Sequence, residues 1–247
     1  MSRGDHATAW RSESYHFVVR PTDDTEWPDR NSWPAHSNVR RVWSATAIVV
    51  LVTLALVAAS HPGPLPGEVP YIRWLQRLGE PVPSLAGFVR TTTGTEGSLV
   101  VGVLPGIWLV RRYGQAGARA VLIALLILLV VQPVFKELVD RPRPTATQVE
   151  VRAEHTSKSF PSGHSLSTTT IWGTASGLAW RRRRRLLAAG AAVPIMMTGL
   201  ASGVQGVHWP SDAIAGTLAG VLAATAILHT LQPERPGAGS GISGHET

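Results

Sequence analysis

The chain predicts an all-α fold, a bundle of six transmembrane helices, and three observations carry that expectation. Its apolar residues, 44% of 247, are gathered into long runs rather than scattered. Its arginines fall at alternate ends of those runs. Between the same runs, 97–136 and 164–211 contain no acidic residue at all. A hydrocarbon core about 30 Å thick needs about 20 apolar residues in one helix, and several runs approach that length.

Val42–Ser60 is uncharged, rich in Val, Leu and Ala, and entered from Arg40 and Arg41, which predicts the first span. Gly97–Val110 is shorter, closes on Arg111 and Arg112, and crosses only with help from its flanks or a thinned bilayer. Ala120–Phe135 is the most apolar stretch and ends at Lys136, whose long stem lets the ammonium reach the interface. Ser165–Trp180 and Leu186–Val207 flank the arginine block 181–185, and Ala213–Leu228 is the last span. Between the first two spans, Tyr71–Leu78 fits either an amphipathic helix lying along the interface or an ordinary loop.

Retention of positive charge in cytoplasmic loops sets the expected orientation. Arg40–Arg41, Arg111–Arg119, the 181–185 block and Arg235 share one side of a six-span path. Both termini are then cytoplasmic, in a plasma membrane, and 61–96, 137–163 and 204–212 face outward. Three regions follow: a mobile cytoplasmic arm over 1–40, a six-span domain over 41–231, and a disordered tail over 232–247 rich in Gly, Ser and Pro. The arginine block would suit nucleic acid in a soluble protein, but between two apolar runs it reads as a cytoplasmic loop, and no nucleic-acid partner is expected. With no cysteine there is neither a disulfide scaffold nor a thiolate metal site.

By that topology three polar clusters reach the same outer face. In KELVDRPRP, Pro142 and Pro144 push Arg141 and Arg143 out of helical geometry, so that with Lys136 they offer forked and compact cations to phosphate oxygens; a basic stop after an apolar helix fits equally. Ser162 and Gly163 open a helical run, so free N–H groups and the positive end of the helix dipole favour an anion, with His164 at its rim. A serine cap beside an exposed histidine is the plainer account of those residues. In GVHWPSD, Asp212 lies four residues after His208, where a hydrogen bond to one imidazole nitrogen would leave the other as a nucleophile. With nine His and 16 acids in the chain, that spacing alone is weak, and the conjunction of clusters is what has weight.

These clusters resemble, in order, the three-part signature of the type 2 phosphatidic acid phosphatase family. Lys136, six residues, then Arg143-Pro144 match the first part, and Pro161-Ser162-Gly163-His164 the second. In the third, His208 and Asp212 match, but the family's Ser-Arg is Ala201-Ser202. The resemblance spans about 40–230 and implies a membrane lipid phosphatase whose substrate is a lipid phosphomonoester or diphosphate, such as an isoprenoid diphosphate, phosphatidic acid or phosphatidylglycerol phosphate. It implies His208 as the nucleophile forming phosphohistidine, Asp212 polarising it, and His164 as general acid and then base. Lys136, Arg143, Ser162 and Gly163 would hold the phosphate, with neither metal nor cofactor. Ser202 removes one cation, for which Arg141 is a substitute nearby in sequence. Alternatives are a catalytically impaired lipid-phosphate binder or carrier, and a phosphotransferase using the same intermediate. Oligomeric state is not legible.

Overall fold

The computed structural model describes residues 36–231, except 62, 80–82, 94 and 154–155. The expected tail, and the expected arm up to residue 35, lie outside the described residues. The architecture below is that of the unit Val42–Thr247, and every described element in it is helical or a turn.

Helix α1, His36–Ser60, starts ahead of the expected Val42. Its C-terminal end packs through Ala58 on Val139, Phe160 and Ala215, and the rest exposes Trp43, Val49 and Leu56. Helix α2, Glu68–Gly79, settles the ambiguous segment around Tyr71–Leu78: it is an amphipathic helix that buries Glu68, Ile72, Leu75 and Gln76 and exposes Tyr71, Trp74 and Leu78. Helices α3, Pro83–Thr93, and α4, Thr95–Tyr113, replace the single short run expected over Gly97–Val110. Ser84–Thr92 and Gly97–Tyr113 meet at a bend of 50°.

Helix α5, Gln115–Leu126, continues through a π-helical turn, Ile127–Val131, into α6, Gln132–Val139. Pro133 has no N–H for the carbonyl one turn back, and a π turn accommodates that loss without breaking the helix. Helix α6 stops where Asp140 takes a left-handed conformation, φ 51°, with its N–H on the Lys136 carbonyl at 3.0 Å. Helix α7, Gly163–Arg181, is followed by α8, Arg185–Gly190, α9, Ala192–Val204, and α10, Pro210–Thr230. The fifth expected span therefore ends at Val204, not Val207, because Gly206 turns the chain at φ +64° against the Glu150 carbonyl, where a side chain would not fit.

Four stretches are long and apolar enough to cross a membrane: Arg41–Ser60, Gln115–Val139, Arg185–Val204 and Pro210–Thr230. The bent pair of α3 and α4 makes five if it forms one span. The remaining expected span is α7, which has the length but buries Ser165, Ser167, Thr168, Thr169 and Thr170. Its neighbours are other helices, chiefly α10, with α9 and α8, so it does not need the apolar surface that lipid demands. Elsewhere the distribution is that of a membrane bundle, with Leu104, Leu138 and Leu186 outside and hydroxyls inside. The protein is an all-α integral membrane protein.

Candidate active site

Close packing of α7 on α10 builds the site. A Cβ at Gly216 would stand 2.3 Å from the Ser162 carbonyl oxygen, and one at Gly220 would stand 2.5 Å from the Thr169 Cβ. These two positions, one helical turn apart on one face, let the backbones approach as only small residues permit. The helix beginnings are thereby locked together, with the Ser162 N–H donating to the Asp212 carbonyl at 3.0 Å. The residues just inside and outside those two N-termini are the histidines.

His164 and His208 stand with ring centroids 6.2 Å apart, edge to face at 64°. His208 is 1% exposed, and its Nε2 lies 3.2 Å from an Arg143 terminal nitrogen. Arginine only donates, so Nε2 is the acceptor and the ring proton sits on Nδ1. That nitrogen faces Asp212 Oδ2 at 3.7 Å and Ser159 Oγ at 3.5 Å. The direct hydrogen bond expected between Asp212 and His208 is thus too long to be one. The carboxylate is taken up by other donors: the Ser159 hydroxyl and the Trp209 N–H, at 2.9 Å, on Oδ2, and Arg141 on Oδ1. Asp212 at the third position of α10 caps its own helix, which fixes it under the imidazole.

Two cations converge on one hydroxyl. Lys136 Nζ donates to Ser157 Oγ at 3.0 Å, and Arg143 donates to the same oxygen at 3.1 Å. Arg143 is further held by the Ser157 and Val207 carbonyls, at 2.7 and 2.6 Å. Burial pushes the Arg143 guanidinium down to about 10, the positive charge of Arg90 pushes the same way, and Asp212 opposes both; Arg143 remains a cation at neutral pH. Ser162 is fully buried as the cap of α7, its hydroxyl accepting from Ser165 N at 3.4 Å and Ser165 Oγ at 3.3 Å. Gly163 is only half-buried. A Cβ there would meet Gln132 Nε2 at 2.9 Å, which sets that amide beside the helix start.

Arg141, expected beside the phosphate, stands among carboxylates instead. It is 0% exposed and spans Glu68 at 2.8 Å and Asp212 at 2.6 Å, with the Ser211 hydroxyl at 2.7 Å and the Gly63 carbonyl at 3.3 Å. Both terminal nitrogens are taken by protein groups and Nε has no hydrogen-bond partner, so in this arrangement Arg141 ties Glu68 to Asp212 as a buried strut. Glu68 closes the network by accepting from Ser211 N at 3.0 Å and Ser211 Oγ at 2.6 Å. Sequence reasoning missed Glu68, Ser157, Ser159 and Gln132. Glu68 carried one local signal, an acid at the start of an amphipathic helix, which speaks of capping and not of a charge partner 73 residues away. The two serines carried none.

Beside the site, α4, α5 and α7 line a half-open apolar cavity of about 1060 Å³, with residues such as Leu99, Val103, Leu128, Leu166 and Ile171. Ser98 and Ser167 line it on the side of His164, bonded to each other at 2.9 Å, with the Ser167 hydroxyl donating to the His164 carbonyl at 3.2 Å, while Arg111, Arg182 and Arg184 line it elsewhere.

Residues 117–236 match the model of the PAP2 superfamily. The fold is similar to that of the transmembrane PAP2-type phosphatidylglycerolphosphate phosphatase from Bacillus subtilis, at TM-score 0.61 and 18% identity over 75% of this chain and 94% of that one. Among curated proteins no sequence matches. The matched segment contains Lys136, Arg143, Ser162, Gly163, His164, His208 and Asp212, so the residues of all three clusters lie in the part of the chain that matches the PAP2 superfamily, and the likeness of fold extends over 75% of the chain.

Proposed function

We propose that the protein is a membrane lipid phosphatase that works through phosphohistidine on His208, with its site at the outer face of the plasma membrane and both termini cytoplasmic. The observation that carries this reading is the meeting of His164, His208 and Arg143 at one place, with the unprotonated Nε2 of His208 turned toward the cation. Phosphate entering beside Lys136 and Arg143 draws the Arg143 N–H from Nε2 onto a phosphate oxygen. The freed Nε2 lone pair attacks phosphorus, and the bond from phosphorus to the lipid oxygen breaks. His164 gives its proton to that oxygen, then accepts one from the water that cleaves the P–N bond. Asp212 and Ser159 favour the charge that His208 gains, and the backbone at Gly163 faces the anion at the start of α7.

A lipid substrate is supported by the apolar cavity, one part of which adjoins His164 through Ser167. Candidate head groups are an isoprenoid diphosphate, phosphatidic acid and phosphatidylglycerol phosphate; the Bacillus subtilis protein of similar fold is a phosphatidylglycerolphosphate phosphatase. One observation favours a second reading. Ser202 gives its hydroxyl to the Thr198 carbonyl at 2.9 Å and adds no cation, as suits a lipid-phosphate binder that turns over little. A phosphotransferase would use the same intermediate with an alcohol in place of water. Purified protein in detergent, without added metal, is expected to release phosphate from at least one of these lipids, and His208→Ala to release none above background. Equal release by both forms would remove the enzyme reading.

A further inference from the structure

Arg90 is a charged side chain only 6% exposed, on α3, outside the segment matched to the superfamily. Its place follows from helix packing. Ala86 and Val89 on α3 pack against Ala201 and Val204 on α9, and a Cβ at Gly87 would lie 3.9 Å from Gln205 Nε2. Arg90 is one turn on from Ala86, on that same face. The α9 surface there continues to Ser202 and Thr198, and Thr198 reaches Thr168 of α7 at 3.3 Å, so α3 lies alongside the two elements that flank the histidines.

Electrostatics agrees with the packing. The positive charge of Arg90 adds to burial in lowering the Arg143 guanidinium, and it acts on Lys136 too, there more weakly than Arg143, Asp212 and Glu137. On the face of α3 that packs against α9, Arg90 thus adds a third positive charge to the neighbourhood of Arg143 and Lys136. Buried like charges repel, and an arrangement of three is stabilised by a dianion among them.

Building on the phosphatase reading, we propose that Arg90 is a third phosphate-binding cation of this site, contributed by α3, and that it does the work for which position 202 carries no charge. Ser202 adjoins Ala201, which packs under Ala86, so an arginine introduced at 202 enters the same region from α9.

The test uses the full chain in detergent with dioleoyl phosphatidic acid as substrate, and calorimetric binding of inorganic phosphate as a readout independent of turnover. Arg90→Gln is expected to lower kcat/KM and phosphate affinity, kcat/KM by roughly a hundredfold. Arg90→Lys should keep part of both, and adding Ser202→Arg to Arg90→Gln should restore at least about tenfold of the loss. Wild-type phosphate affinity in a folded Arg90→Gln overturns the proposal. Should Arg90→Gln fail to fold, Arg90→Lys decides: weakened phosphate binding supports the assignment, and unchanged binding overturns it. A wild type that binds phosphate through Arg90 yet releases none, like His208→Ala, rejects the phosphatase reading and leaves the Arg90 assignment standing.

Discussion

Replacing Arg141 by Met removes the cation that lies between two buried carboxylates. Glu68 and Asp212 would then keep their mutual repulsion and lose donors at 2.8 and 2.6 Å. Breaking a buried ion pair from one side costs about 3–5 kcal/mol, because the remaining charge is uncompensated. At about 2–4 °C per kcal/mol for a chain of this size, unfolding should come roughly 6–20 °C earlier. Thermal unfolding of purified protein in detergent measures this directly. Arg143→Met makes the contrast. Its neighbours are carbonyls, a hydroxyl and an imidazole, none of them a buried anion left bare. It should unfold near the wild-type temperature while losing phosphate affinity. The double change Glu68→Gln/Arg141→Met should be less destabilising than the two single losses added together, with a coupling of about 0.5–3 kcal/mol. An Arg141→Met protein that is thermally unchanged but weakened in phosphate binding would refute the strut assignment and return Arg141 to the ligand set.

Removing the Ser159 hydroxyl, in Ser159→Ala, takes a donor from Asp212 beside the His208 Nδ1; about 1.5–3 kcal/mol for a bond to a charged group converts to a drop in kcat of roughly ten- to hundredfold, with phosphate affinity retained. His164→Ala should slow turnover by roughly 10²–10⁴-fold and let an acid-labile phosphoenzyme accumulate in a quench with radiolabelled substrate; fast turnover without that adduct would speak against a proton-transfer role. Gly216→Ala places a methyl 2.3 Å from the Ser162 carbonyl, so α7 and α10 must part; about 1–3 kcal/mol of stability should go, and activity should fall more than stability explains, since the Ser162–Asp212 bond joins the two helix starts. Retained activity in that variant would show that the helix contact does not set the histidine pair.

Long uncharged runs bounded by arginine determined the class of fold, because only a helix satisfies its own backbone in lipid and needs about 20 apolar residues to do so. The three clusters were also legible, since short spacings such as His208 to Asp212 or Ser162 to His164 hold within one helix start whatever surrounds it. The number of spans was less so: α7 is polar because it is enclosed by helices, and hydropathy measures contact with lipid rather than membership of the bundle. What lies opposite a side chain was beyond the sequence altogether. Arg141 and Arg143 are two residues apart and chemically alike, yet one faces Glu68 and the other His208, a division made by where α2 and the 204–209 turn come to rest. Glu68 and Arg90 belong to helices remote in sequence from every motif. Their bearing on the site exists only after packing, because charges act through distance in space, and the folded bundle sets that distance.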